Sequence, residues 1–105
     1  MLNGWVFLLL VLREPVSLRV TPQYVYLGKP LEIRIHAVYQ EGDRFMRLEW
    51  DPPTVGDSEW PVDPQSMSSW KLVRRVYEPG AYRVRASIMG RSWRYSPVVT
   101  VTVLE

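Results

Sequence analysis

The chain has 105 residues, 47% of them hydrophobic and 23% charged, with a formal charge of +2 and no cysteine. That length suits a single domain, and the composition is that of a folded globular protein, which excludes intrinsic disorder. Without cysteine there is no disulfide, zinc–thiolate centre or thiol nucleophile; eleven Arg against two Lys suit bidentate ion pairs as well as anion binding.

Residues 1–14 read as an apolar segment distinct from the rest. Trp5 to Leu12 is an unbroken apolar run ending at Arg13-Glu14-Pro15, far short of the about 20 residues that a membrane-spanning helix needs. The run has the length of a signal-peptide core. However, no basic residue precedes it and no small-residue cleavage pattern follows it. Three readings stay open: an export segment, a strand buried in its own core, or an assembly arm. In the last, Trp5, Phe7 and Leu9 are candidate contacts and the arm adds a strand to a neighbour's sheet edge.

From residue 15 to 105 the dominant period is two, the mark of half-buried strands. Val16, Leu18 and Val20 alternate with polar residues until Pro22, and Leu31, Ile33, Ile35 and Ala37 do so after the Gly28-Lys29-Pro30 turn. Met46, Leu48 and Trp50 form a third strand, stopped by Pro52-Pro53 because proline cannot donate to a ladder. The Pro-rich segment from Asp51 to Ser69 reads as a long loop with room for one short edge strand. Trp70 to Tyr77 alternates imperfectly, since Val73 follows Leu72 and Arg74 adjoins Arg75, so a bulge is expected there. Tyr82, Val84, Ala86 and Ile88 form the next strand. A turn at Gly90 then leads into one running from Trp93 to Val103. No stretch carries a sustained helical period. The expectation is an all-β antiparallel sandwich of about seven strands.

Two patterns carry a family resemblance. Val76-Tyr77-Glu78-Pro79-Gly80-Ala81-Tyr82-Arg83-Val84 and Leu48-Glu49-Trp50 resemble the F-strand turn and the C strand of immunoglobulin-like domains, more narrowly PKD and related bacterial surface modules. The resemblance implies that Tyr82 forms a tyrosine corner and that Trp50 is the core tryptophan. It also places Ile35 and Val84 where the family disulfide would stand. What it implies for function is a surface module outside the cytoplasm, secreted or on a cell envelope or virion, because the superfold itself hosts many roles.

The residues offer little for catalysis. His36 is the only histidine, so no multi-histidine metal site or Ser-His-Asp triad is expected, and its strand position reads as solvated. His36 with Met46, Met67 and Met89 offers imidazole and thioether ligands for copper but shares no spacing motif; Asp51, Asp57, Glu59 and Asp63 are a loop cluster of oxygen ligands for calcium, with a spacing that matches no established calcium loop. No cofactor is expected. Arg83 and Arg85 share an outward face, with Arg47 and Arg94 beside them if the strands adjoin, giving either a basic surface or cross-strand ion pairs with Glu49 and its neighbours. Trp60 is the tryptophan expected to be exposed, while Trp70 and Trp93 fit core positions. The reading is a non-catalytic structural or interaction module whose partner is a protein. Self-assembly through the N-terminal run is the first alternative, and a glycan or metal ligand the second; nucleic acid is not expected.

Overall fold

The computed structural model describes residues 16–53, 55–64 and 69–105. Those residues form nine strands and no helix: β1 (Val16–Thr21), β2 (Tyr24–Tyr26), β3 (Pro30–Ala37), β4 (Phe45–Asp51), β5 (Ser58–Pro61), β6 (Ser69–Arg75), β7 (Gly80–Met89), β8 (Trp93–Tyr95) and β9 (Val99–Leu104). One sheet has the order β1-β3-β6; the other runs β2-β9-β7-β4-β5, with β8 on the C-terminal half of β7. Every pairing is antiparallel except that of β2 with β9. This is the all-β sandwich of two facing sheets that the alternation predicts. The run from Trp5 to Leu12, with Trp5, Phe7 and Leu9, lies outside the described residues, as does Met67.

The alternating apolar positions meet between the sheets. Val16, Val20, Leu31, Ile33 and Ile35 face inward from the first sheet, and Met46, Leu48, Trp50, Tyr82, Val84, Ile88 and Val101 from the second, all buried. Burying such side chains is the dominant favourable term in folding, at about 25 cal/mol per Å². Tyr82 donates its hydroxyl hydrogen to the Glu78 carbonyl at 2.8 Å, closing a tyrosine corner, and its ring meets Trp50 edge to face with centroids 6.3 Å apart. Ile35 and Val84 are buried on facing sheets and contribute to the apolar core between them.

Three local expectations are corrected. First, β6 has no bulge: its register against β3 is continuous from Pro30↔Arg75 to His36↔Ser69. Val73 therefore points outward and Arg74 inward, where the Arg74 guanidinium donates to Ser58 Oγ (3.2 Å) on β5. A charge at an inward position near a sheet edge also discourages pairing with a stray strand.

Second, β2 was hidden in the stretch after Pro22. Pro22 cannot donate to a ladder; the chain leaves the first sheet there and joins β9 of the second, with Val25 buried and Tyr24 and Tyr26 exposed.

Third, the last predicted strand is two. Along β8 the register is Ser87↔Tyr95 and along β9 it is Val84↔Val99, so Ser96, Pro97 and Val98 stand opposite Arg85 and Ala86 alone. That is a one-residue bulge. Ser96 anchors it: its N–H donates to the Ala86 carbonyl (2.8 Å), and its Oγ accepts the Ala86 N–H (2.9 Å).

Candidate functional site

The bulge decides which aromatics reach solvent. In an uninterrupted strand Trp93, Tyr95, Val99 and Val101 would share one face, because the side-chain period is two. The extra residue reverses parity, so Val101 and Val103 point into the core while Trp93 and Tyr95 point out, each 43% exposed. Their rings are nearly parallel, 13° apart with centroids 6.1 Å apart. The Arg85 guanidinium carbon sits 4.2 Å from the Tyr95 centroid, a cation–π contact.

Trp60, the tryptophan expected at the surface, is instead half-buried and packs on the core. Its partner across the ladder is Met46, an inward position, and parity carries Trp60 to the same side. Trp70 is likewise half-buried against the core, as its parity implies.

The strands on either side of β7 bring most of the predicted arginines together. Arg85 pairs with Glu49 (3.1 Å) and Arg47 with Asp57 (3.0 Å). Arg83 is exposed, directly across the ladder from Asp51, and neither is in an ion pair among the described residues. Arg83, Arg85, Glu49, Asp51 and Asp57 line a shallow groove of about 260 Å³. The surface is thus a laced set of both signs, as cross-strand pairing requires, rather than a basic patch.

Arg94 does not join that face. It sits opposite Ile88, at an inward position, and pairs with Asp43 at 2.5 Å, with side-chain exposures of 10% and 3%. Gly90 packs against this pair: a Cβ there would lie 2.5 Å from Asp43 Oδ1. The β3–β4 turn and the β7–β8 turn are therefore locked together just beyond Trp93, which gives the exposed ring a firm base.

The remaining candidates are scattered. His36 lies on the outer face of the three-stranded sheet, its Nδ1 3.2 Å from Ser69 Oγ, whereas Met46 is buried in the core; the copper set is not assembled. Asp57 is engaged by the Arg47 guanidinium and by the Trp50 N–H (3.2 Å). Among the described residues no three acidic or histidine side chains group to hold a metal. Among the described residues the His36–Ser69 contact has no carboxylate to orient the ring, which a relay would need.

No protein-family profile matches the sequence, and no curated protein matches it. Solved structures do. A CARDB domain of the PF1109 protein from Pyrococcus furiosus, solved in complex with di-metal ions, matches at 16% identity and a TM-score of 0.60, over 86% of this chain and 92% of that one. Fibronectin(III)-like modules of CbhA from Clostridium thermocellum match at 18% identity and a TM-score of 0.56, over 84% of this chain and 93% of that one. Superoxide reductase (neelaredoxin) from Ignicoccus hospitalis matches at 9% identity and a TM-score of 0.62, over 87% of this chain and 81% of that one. At these identities the likeness is one of fold, the immunoglobulin-like sandwich. The CARDB and fibronectin(III)-like matches do not carry the narrower likeness to PKD domains.

Proposed function

Starting from that sandwich, we propose that the chain is a non-catalytic interaction module that binds a protein partner through the outer face around β8. The observation that carries this is the bulge at Ser96–Val98, which turns Trp93 and Tyr95 out of the core, stacked on each other and with Arg85 over the Tyr95 ring. Keeping two large rings half in water forgoes about 2 kcal/mol or more of burial for each. Trp, Tyr and Arg are the residues that dominate binding energy when a partner buries them. The mixed ladder of Glu49, Asp51 and Arg83 beside them suits a polar rim that fixes orientation.

The CARDB and fibronectin(III)-like folds among the matches are consistent with a module of this kind. We place it outside the cytoplasm, on a secreted, envelope or virion surface, with residues 1–14 as a segment separate from the sandwich. The reading is tested by introducing a photo-crosslinking residue at position 93, and separately at Val73 on the other sheet, in the cells that make the full chain. A discrete protein adduct from position 93 and none from Val73 is expected. Equal adducts from both positions, or none from position 93, as a glycan partner would give, contradicts it.

A further inference from the structure

The outer face of the three-stranded sheet has a different charge pattern. The register places Arg19 directly across from Arg34, and Arg34 across from Lys71, so three cations form one row across β1, β3 and β6. Strands lie about 4.8 Å apart, and like charges directly opposite are destabilising. Lys29 and Arg75 stand nearby at and beyond the Pro30 end of the same sheet. The only acidic residue on these strands is Glu32. It accepts from Arg34 Nε at 2.7 Å and from Lys71 Nζ at 3.2 Å, and these two contacts hold its carboxyl below the usual carboxylate range.

One carboxylate is thus shared by two cations, and Arg19 has no partner among the described residues. Arg34 spends only Nε on Glu32, which leaves its terminal nitrogens open. The next row along the strands is Ser17, His36 and Ser69, two hydroxyls and an imidazole, all exposed. Both rows line a groove of about 380 Å³. On the opposite sheet arginines and carboxylates alternate; here the cations are gathered and left short of counter-charge.

We propose that this groove binds a phosphate or sulfate group, held by Arg19, Arg34 and Lys71 with a hydroxyl donor from Ser69; the Ser17 hydroxyl beside them already donates to the His36 carbonyl at 3.4 Å. Guanidinium forks match the oxygens of such groups, and charge-assisted hydrogen bonds are the strong ones. A tetrahedral oxyanion between Arg19 and Arg34 converts their repulsion into shared attraction. The outward positions of these strands hold no Phe, Tyr or Trp, so they offer no broad platform on which successive nucleic-acid bases would stack. The chemistry recognised is the oxyanion itself, free or carried on a chain. The proposal is independent of the β8 face, which lies on the other sheet.

The test is an NMR titration of the full chain at low ionic strength with inorganic phosphate, sulfate and tripolyphosphate in parallel. The expected result is a saturable shift of the Ser17, Arg19, Arg34, His36 and Lys71 signals. Binding by phosphate and sulfate identifies a site for the free ion, whereas binding by tripolyphosphate alone identifies one for chain-borne groups. Arg19→Ala and Arg34→Ala, both exposed and so expected to fold, each weaken binding about tenfold or more. Arg91→Ala, which removes the same charge at the β7–β8 turn, leaves it unchanged. The proposal is overturned if none of the three probes shifts the groove signals, if the Arg19 and Arg34 variants titrate like the parent, or if Arg91→Ala loses as much as they do.

Discussion

Tyr82 does two things at once: its ring lies in the core against Trp50, and its hydroxyl pins the Glu78 carbonyl at the turn into β7. Tyr82→Phe keeps the packing and deletes the pin. A loss of about 1 to 2 kcal/mol in urea unfolding is expected, and no loss would mean that the corner is decorative. Ser87 provides the contrast. It is fully buried on the outer side of β7, between Arg47 and Tyr95 on the ladder, and its Oγ has no hydrogen-bond partner among the described residues. A buried hydroxyl left unpaired is costly, so Ser87→Ala is expected to be neutral or to stabilise by up to about 1 kcal/mol. A loss above about 1 kcal/mol would mean that the hydroxyl is bonded after all.

At the scale of elements, the absence of a bulge in β6 has a direct consequence. Val73 is 51% exposed whereas Leu72 packs on the core. Val73→Thr is expected to change stability by less than about 0.5 kcal/mol, while Leu72→Thr costs about 1 kcal/mol or more for lost burial and a half-buried hydroxyl. The reverse order would restore the bulge. Across the same sheet, Glu32 gives a pH signature. Its carboxyl is held low first by Arg34 and then by Lys71, so the contribution is present above the ordinary value of 4.5 and disappears as pH falls through the lowered one. Thermal midpoints of the parent and of Glu32→Gln, followed downward from neutral pH, should converge in acid. A gap that stays constant throughout would contradict the pairing.

These elements also mark what could be read from the residues. Strict alternation in β1, β3, β4 and β7 made the sandwich legible, because burial with period two admits few alternatives. In β6 the same rule misled: adjacent apolar Leu72 and Val73 suggested a bulge, but the sheet tolerates an exposed valine and tucks Arg74 against Ser58. The genuine bulge sat where Ser96-Pro97 interrupts the ladder, and that proline was its one visible signal. Missing it put Trp93 in the core and left Trp60 as the surface tryptophan, the reverse of the observed arrangement. The cation row escaped notice because it depends on cross-strand register, which no local pattern in β1, β3 or β6 reveals.

For the molecule as a whole, the two outer faces differ in kind. The six-stranded sheet offers stacked aromatics beside a charge-balanced ladder, suited to a protein surface, and the three-stranded sheet offers cations short of partners. The buried Asp43–Arg94 pair and Gly90 brace the end from which the aromatics project. No helix among the described residues is long and apolar enough to cross a membrane. The central claim is that Trp93 and Tyr95 are covered in the working assembly. Oxidative footprinting of the full chain, in the intact cells or particles that carry it and again after purification, addresses this most directly. Trp93 and Tyr95 should be protected in place and oxidised rapidly once purified, with buried Trp50 slow in both. Equal oxidation of Trp93 in the two states would contradict the account.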